Sequence, residues 1–186
     1  MNLIIFSGLP GTGKSTLAEA VAKVLGIPVF AKDWLEATLL RHLRPIWQAN
    51  CAYGAVQVSG IKPEDKSLGF VSYELLTVLA ERQLILGQSV ILDSVAATKT
   101  IRSAWHQLAE QYHANCRIIE CICSDESFHR SRLRERKRNI PGWHELEWSE
   151  VERVKRYYSP WEGEHLVLDM AHSFDENFLK AKIYCE

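Results

Sequence analysis

Short apolar runs alternate along this chain with longer segments in which apolar residues recur every three or four positions. Residues 3–6, 90–92 and 166–168 are such runs, and each is bounded by polar residues. Unbroken runs of this length predict strands that are covered on both faces, whereas the periodic segments predict amphipathic helices. Strands that alternate with helices are typical of a parallel sheet with helices on both sides.

The first helix is predicted at residues 14–25, since Gly26 is a typical helix-ending residue. Its inner face is expected to carry Leu17, Val21, Val24 and Leu25. A longer helix, which ends at Gly87, has its apolar positions at Leu68, Val71, Leu75, Val78 and Leu79. The other elements are strands at residues 28–30, 90–93, 117–123 and 166–168, helices at 34–43, 99–112, 125–138 and 149–158, and a closing helix with Phe174, Phe178 and Leu179.

Length and composition favour one globular domain. The chain has 186 residues, 47% of them hydrophobic, and a formal net charge of -1. A single α/β domain over residues 1–186 accounts for this length, and the balanced charge provides no global basic field for nucleic acid. An odd number of cysteines, 5 in all, and no CxxC pair argue against a disulfide framework. No signal peptide or membrane span is expected, so a cytoplasmic location is predicted.

The loop after the first strand has a complete phosphate-binding pattern. Residues 8–15 fit the spacing G-x-x-x-x-G-K-S, directly after a predicted strand and directly before a predicted helix. Glycines let successive backbone N–H groups face one concavity, and the following helix adds the positive end of its dipole. The nucleotide-binding residues predicted here are Gly8, Leu9, Pro10, Gly11, Thr12, Gly13, Lys14, Ser15 and Thr16.

Within this loop, Lys14 is positioned by the spacing to reach the β- and γ-phosphates of a nucleoside triphosphate, and Thr16 to contact the α-phosphate. The Ser15 hydroxyl is a predicted Mg²⁺ ligand. Asp93 closes the third predicted strand and can hold Mg²⁺ through water beside Ser15. Its simpler alternative role is to cap the turn into the next helix.

Asp33 follows the second predicted strand, and its carboxyl is expected to face the γ-phosphate region from there. A carboxylate in that place can accept the proton of an acceptor hydroxyl, which is what a phosphotransferase needs. An N-cap role for the helix that begins at Trp34 is the alternative, and both roles are compatible.

A dense basic segment occupies residues 130–138. Arg132 and Arg136 are four residues apart, so they are predicted to share a helix face and to converge on one polyanion as catalytic arginines of a lid. A solvated helix face with ion pairs through Glu135 is the alternative. A nucleic-acid patch is a third interpretation, which the net charge of -1 makes less favoured.

These residues together resemble one group of P-loop kinases. The loop from Gly8 to Thr16, Asp33, Asp93 and the pair Arg132 and Arg136 are similar to the motifs of zeta toxins, gluconate kinase, chloramphenicol phosphotransferase and polynucleotide kinase. The resemblance implies a P-loop NTPase fold with a doubly wound five-stranded parallel sheet and a helical lid at about residues 125–147. It also implies ATP with Mg²⁺, an Asp33 base and lid arginines. In the polynucleotide kinase an arginine precedes the base, whereas Lys32 stands here.

The acceptor is left open by these observations. Arg41, Arg44, Lys62 and Lys66 frame the irregular residues 45–66, where they would suit a phosphorylated or carboxylated substrate or serve as surface charges. We predict a kinase acting on a hydroxyl of a small-molecule acceptor. The alternatives are a nucleotide-dependent ATPase or switch, and a kinase of nucleic-acid 5′ ends.

Overall fold

The structure is a computed structural model that describes residues 1–53 and 67–186, with side-chain surroundings for residues 1–42 and 68–186. The strands are β1 (Asn2–Ser7), β2 (Val29–Ala31), β3 (Val90–Asp93), β4 (Asn115–Ile122) and β5 (Leu166–Asp169). The helices are α1 (Lys14–Leu25), α2 (Lys32–Tyr53), α3 (Ser67–Ile85), α4 (Lys99–Gln111), α5 (Glu126–Glu135), α6 (Trp148–Lys155) and α7 (Phe174–Cys185). Across these described ranges, no helix is long and apolar enough to cross a bilayer.

The five strands form one sheet in the order β2-β3-β1-β4-β5. Every neighbouring pair is parallel, which confirms the predicted fold class. Side chains of β1 alternate between the two faces of this sheet. Ile4 and Phe6 pack with α1 and α7, whereas Leu3 and Ile5 pack with α3 and α4. Helices therefore cover both faces, and the strands are buried as their apolar sequences predict.

The strand register brings three carboxyl ends to one edge of the sheet. Phe6 of β1 and Ala31 of β2 both pair with Asp93, the last residue of β3. Asp33 follows Ala31 by two residues, and the glycine-rich loop begins just after Ser7. The predicted phosphate loop and the two predicted acids therefore meet at the same edge of the sheet.

Helix α2 is longer than the predicted segment of residues 34–43. It begins at Lys32 and continues to Tyr53, passing Pro45, which the sequence predicts to open an irregular stretch. Proline within a helix costs about 3 kcal/mol. However, α2 contacts α3, and tertiary contacts of this kind can offset such a cost. Because the helix starts at Lys32, Asp33 lies in its first turn, and the N-cap alternative for Asp33 is wrong.

Two helices bury other faces than their apolar residues suggest. Val24 of α1 is 56% exposed, because the buried stripe runs through Ala18 and Ala22 and leaves Val24 at its margin. Leu75 and Val78 of α3 are also exposed. The apolar residues of α3 itself are distributed over several sides of the helix, so their spacing does not indicate which face is buried. The buried residues of α3 are Leu68, Ser72, Leu76, Ala80 and Leu84.

The basic helix ends earlier than predicted. Helix α5 ends at Glu135, and Arg136 already has an extended backbone with φ of -67° and ψ of 134°. The prediction that Arg132 and Arg136 share a helix face is therefore wrong. Residues 136–147, which we name the lid loop, have no regular structure and lead into α6. The segment predicted as a helical lid is thus half helix and half loop.

Candidate active site

The loop between β1 and α1 has the backbone of a phosphate cradle. Gly8, Gly11 and Gly13 have φ values of 138°, 85° and 102°. Gly13 is the N-cap residue of α1 and provides no side-chain hydrogen bond to the first turn of this helix. The first N–H groups of α1 are therefore not capped by a side chain, and together with the helix dipole they favour an anion.

Replacing Gly8 by alanine is expected to destabilise the fold far more than the same change at Gly26. A Cβ atom on Gly8 would lie 2.2 Å from the carbonyl oxygen of Cys121 in β4. At Gly26, which also has a positive φ, a Cβ atom would meet nothing within 4 Å. We expect a loss in unfolding free energy of about 1–2 kcal/mol for Gly26→Ala. For Gly8→Ala we expect about 4 kcal/mol or more. Urea denaturation measures both, and equal losses would contradict the close approach to β4.

Two side chains of α5 hold the glycine-rich loop from outside. The Nε2 atom of His129 lies 2.8 Å from the carbonyl oxygen of Pro10. Burial lowers the pKa of His129, which favours a neutral ring that donates Nε2–H to this carbonyl. Arg132 donates to the carbonyl oxygens of Thr12 and Met170, both at 2.8 Å. Arg132, predicted as a catalytic arginine, thus ties α5 to the phosphate loop and to the loop after β5.

Three cationic side chains converge above this loop. Lys14 is only 6% exposed. Burial lowers the pKa of Lys14. The negative charges of Asp93 and Asp33 oppose this shift, whereas the positive charges of Arg138 and Arg136 add to it. Within the described part of the chain, Nε and Nη2 of Arg136 have no hydrogen-bond partner. Buried cations that repel one another are a typical sign of a site for a polyanion.

Arg138 makes the contacts at the centre of this cluster. Its Nη1 atom donates to Oγ of Ser15 at 2.9 Å and lies 3.4 Å from Oδ2 of Asp33. The side chains of Arg138 and Asp33 are 10% and 23% exposed, so this ion pair is largely shielded from solvent. The contact joins the predicted metal ligand, the predicted base and the lid loop.

Asp93 and Ser15 suit a magnesium ion. Asp93 is 4% exposed, and in the described residues its Oδ1 atom has no hydrogen-bond partner. Burial raises the pKa of Asp93, while Lys14 and Ser15 oppose this shift. In the ranges with described side chains, no three or more His, Cys, Asp or Glu residues form a metal-binding group. Mg²⁺ needs only one or two protein oxygens when phosphates and water supply the rest, so this donor set fits.

A cleft of about 510 Å³ opens between the phosphate loop and the lid. Its lining consists of the phosphate loop, Arg132 and residues 135–138, together with Glu19 of α1 and Trp34 of α2. Trp34 directly follows Asp33 and is 47% exposed. The cleft therefore extends from the phosphate loop towards the start of α2, on which the predicted base lies.

A polar network supports the strand end beneath the loop. Ser7, the residue before Gly8, lies 3.1 Å from the hydroxyl of Tyr158, and Tyr158 donates to Glu120 of β4 at 2.8 Å. The Trp161 indole donates to Ser7 at 3.2 Å. Burial raises the pKa of Tyr158 to about 12, so its hydroxyl remains protonated. This network fixes the chain after α6 across the edge of the sheet.

The basic residues predicted near the acceptor are described only in part. Arg41 lies on α2, and a Cβ atom on Gly142 of the lid loop would be 3.2 Å from Cβ of Arg41. The lid loop therefore rests on α2 at this point. The side chain of Arg44, and all of Lys62 and Lys66, lie outside the described residues.

A family model for the AAA domain matches residues 3–161. The chain belongs to this AAA-domain family. No curated protein matches the AAA-domain chain at a significant level.

Solved structures share the fold of this AAA-domain chain over nearly its whole length. A sugar kinase from Janibacter sp. has a TM-score of 0.66 at 16% identity, with 99% of this chain and 94% of that chain covered. A gluconokinase from Sinorhizobium meliloti has a TM-score of 0.66 at 17% identity, with 99% and 91% covered. Chaetomium thermophilum Kti12 in complex with ADP-AlF3 has a TM-score of 0.62 at 18% identity, with 99% of this chain and 99% of that chain covered. The fold is therefore that of the P-loop kinase group, as the sequence resemblance predicts.

The structure brings most of the predicted site residues of the AAA-domain chain together. Lys14, Ser15, Asp33 and Asp93 lie at one sheet edge, whereas Arg132 is directed to backbone carbonyls. Arg138 is the residue that sequence reasoning did not single out. Its only sequence signal is membership of the basic run at residues 130–138, which does not distinguish it from its neighbours.

Proposed function

We propose that this AAA-domain chain is a Mg²⁺- and ATP-dependent phosphotransferase that acts on a hydroxyl group of a small-molecule acceptor. The observation that supports this best is the convergence of Lys14, Arg136 and Arg138 beside Asp33 and Asp93. Cations at this density stabilise the charge of a transferred phosphoryl group. A carboxylate beside them can take the acceptor proton, which a simple nucleotide-binding module does not require.

The nucleotide is proposed to bind with its phosphates on residues 8–16 and on the uncapped N-terminus of α1. ATP is the proposed nucleotide because the motifs resemble those of ATP-dependent kinases. The fold shared with a gluconokinase and a sugar kinase supports the same choice. Lys14 is proposed to contact the β- and γ-phosphates, and Thr16 the α-phosphate.

Ser15 would hold Mg²⁺ directly and Asp93 would hold it through water. The bound ion would neutralise charge on the phosphates and orient them. Asp93 suits this role because burial raises its pKa even though Lys14 opposes the shift, and because its buried Oδ1 atom has no hydrogen-bond partner among the described residues.

The reaction is an in-line displacement at the γ-phosphorus. The acceptor oxygen forms a bond to this phosphorus, the bond to the bridging oxygen of ADP breaks, and the acceptor proton passes to a carboxylate oxygen of Asp33. Lys14 and Arg136 stabilise the negative charge on the transferred group. Arg132 adds its charge from the position set by the carbonyls of Thr12 and Met170.

A single domain over residues 1–186 with a lid at about residues 125–147 is part of this proposal. In it, α5 anchors the lid to the phosphate loop and the lid loop brings Arg136 and Arg138 over the cleft. A cytoplasmic location is proposed as well, because ATP and Mg²⁺ are plentiful there.

ADP release from Mg²⁺-ATP should be measured across sugars, nucleosides, phenicol and aminoglycoside antibiotics, nucleotide-sugars and 5′-hydroxyl oligonucleotides. We expect at least one small acceptor to raise release above the background and to gain a phosphoryl group that mass spectrometry detects. Acceptor-independent release that also survives loss of the Asp33 carboxylate would instead favour an ATPase or switch. Phosphorylation of oligonucleotides alone, weakened steeply by salt, would favour a nucleic-acid end kinase.

A further inference from the structure

Arg138 is held by several polar contacts although it lies in a segment without regular structure. Its backbone N–H donates to Oε1 of Glu145 at 2.8 Å, which closes the lid loop on itself. Ile140 of the same loop is buried, and Gly142 turns with φ of 83° against the first part of α2. These contacts shape the loop from which the guanidinium of Arg138 reaches into the cleft.

The contacts of this guanidinium coincide with two proposed functional atoms. Nη1 donates to Oγ of Ser15 at 2.9 Å, and Ser15 is the proposed direct ligand of Mg²⁺. The same nitrogen lies 3.4 Å from Oδ2 of Asp33, the proposed base. Other cations of the segment make different contacts. Arg134 is exposed, Lys137 lines the same cleft but is also exposed, and Arg132 is directed to backbone carbonyls.

A guanidinium and Mg²⁺ oppose each other at one hydroxyl oxygen. A Mg²⁺ ion binds such an oxygen at about 2.1 Å and requires one of its lone pairs. A hydroxyl oxygen has two lone pairs, so a guanidinium nitrogen can donate to the second one, but it then places a like charge within a few ångströms of the ion. Each cation therefore weakens the binding of the other at Ser15.

We propose that Arg138 is a positioning residue that competes with Mg²⁺ for the Ser15 hydroxyl and thereby sets the Mg²⁺ requirement of the nucleotide site. Binding of the metal nucleotide releases Arg138 from Ser15. Asp33 and the phosphate oxygens are then the partners within its reach. This inference rests on the proposed function, because it needs a Mg²⁺-nucleotide at the P-loop.

The test is a binding measurement without turnover. A fluorescent ADP analogue is held at a fixed concentration with the full chain, and Mg²⁺ is titrated until binding is half-maximal. We expect Arg138→Gln to lower the half-saturating Mg²⁺ concentration about five-fold or more, the lower end of typical coupling between two ligands. Arg134→Gln removes an exposed arginine of α5 and is the matched control, with an expected change below about two-fold.

A second comparison isolates the Ser15 hydroxyl. In a Ser15→Ala background the metal and Arg138 no longer share an oxygen, so we expect Arg138→Gln to shift the Mg²⁺ requirement by less than about two-fold. Thermal melting of each variant checks folding. If Arg138→Gln does not fold, Arg138→Lys replaces it, and its shorter side chain is expected to give a smaller shift in the same direction.

An unchanged or raised Mg²⁺ requirement in Arg138→Gln would overturn the competition while nucleotide binding by the natural chain still supports the proposed function. An equally large shift in the Ser15→Ala background would also overturn it, because the effect would not pass through the shared hydroxyl. If the natural chain binds no nucleotide at any Mg²⁺ concentration, the proposed function fails, and this inference fails with it.

Discussion

Replacing Lys14 by methionine is expected to abolish most phosphoryl transfer and at the same time to stabilise the fold. Loss of one preorganised charge at the transferred group lowers turnover by about 10²–10³-fold or more. Burial lowers the pKa of Lys14, and Arg138 and Arg136 add to this shift, so the protonated form costs folding free energy. Methionine has a similar length and carries no charge. The unfolding free energy should therefore rise by about 1–2 kcal/mol.

The gain in stability should depend on pH in a definite direction. The pKa of Lys14 is lower in the folded chain than its usual value of 10.5. The loss of folding free energy caused by the charged Lys14 is therefore complete at pH values below the folded pKa. It disappears as the pH rises past 10.5, where lysine is neutral in both states. Thermal melts at neutral pH and near pH 10.5 measure this difference.

Lys23→Met is the control for Lys14→Met, because Lys23 is an exposed lysine in the last turn of the same helix. It should change neither the melting temperature nor the rate of transfer appreciably. If Lys14→Met lowers the melting temperature, the attraction to Asp93 and Asp33 outweighs burial, and Lys14 is a structural ion-pair partner.

Asp33→Asn is expected to lower the turnover rate by about 10²–10⁴-fold while nucleotide affinity stays within about two-fold. Asparagine keeps the shape of the side chain and an oxygen that can accept from Arg138, but it cannot take the proton of an acceptor hydroxyl. Pre-steady-state measurement of transfer to the acceptor, together with ADP binding, separates these two quantities.

Glu19→Gln removes a carboxylate from the same cleft and is the matched control for Asp33→Asn. Glu19 lies on the exposed side of α1, so its loss should alter transfer by less than about three-fold. Unchanged transfer in Asp33→Asn would exclude Asp33 as the base. Its charge would then serve only to pair with Arg138 and with the N-terminal end of the α2 dipole.

The sheet could be predicted because its signals are local. Apolar runs closed by polar residues define β1, β3 and β5 nearly to the residue, and Gly26 ends α1 where expected. The carboxyl ends of parallel strands meet at one edge, so the placement of Asp33 and Asp93 near the phosphate loop followed from the order of elements alone.

The helices were less predictable where packing overrides local preference. Helix α2 continues past Pro45 and contacts α3, and no property of residues 44–46 reveals this contact. Helix α3 has apolar residues on several sides, so the face that meets the sheet depends on the path of the chain. The prediction that Val24 lies on the inner face of α1 is wrong for a related reason, since small alanines shift the buried stripe of this helix.

Arg138 illustrates why part of the site lay beyond sequence reasoning. Arginine stands at every second position from Arg130 to Arg138, so a period of four selects Arg132 and Arg136 only if the helix continues. The helix instead ends at Glu135, and the extended chain that follows directs Arg138 to Ser15. The path of an irregular loop depends on distant packing partners, which spacing does not encode.

The bracing of the glycine-rich loop by α5 has a consequence for biosynthesis. His129 contacts the Pro10 carbonyl across a separation of 119 residues. At about 5–20 residues per second, a ribosome needs roughly 6 to 24 s to make the intervening chain. For most of that interval the loop lacks β4, and throughout it the loop lacks the complete α5. A nascent chain should therefore acquire nucleotide affinity abruptly, when the residues beyond Arg132 emerge, rather than when the loop itself does.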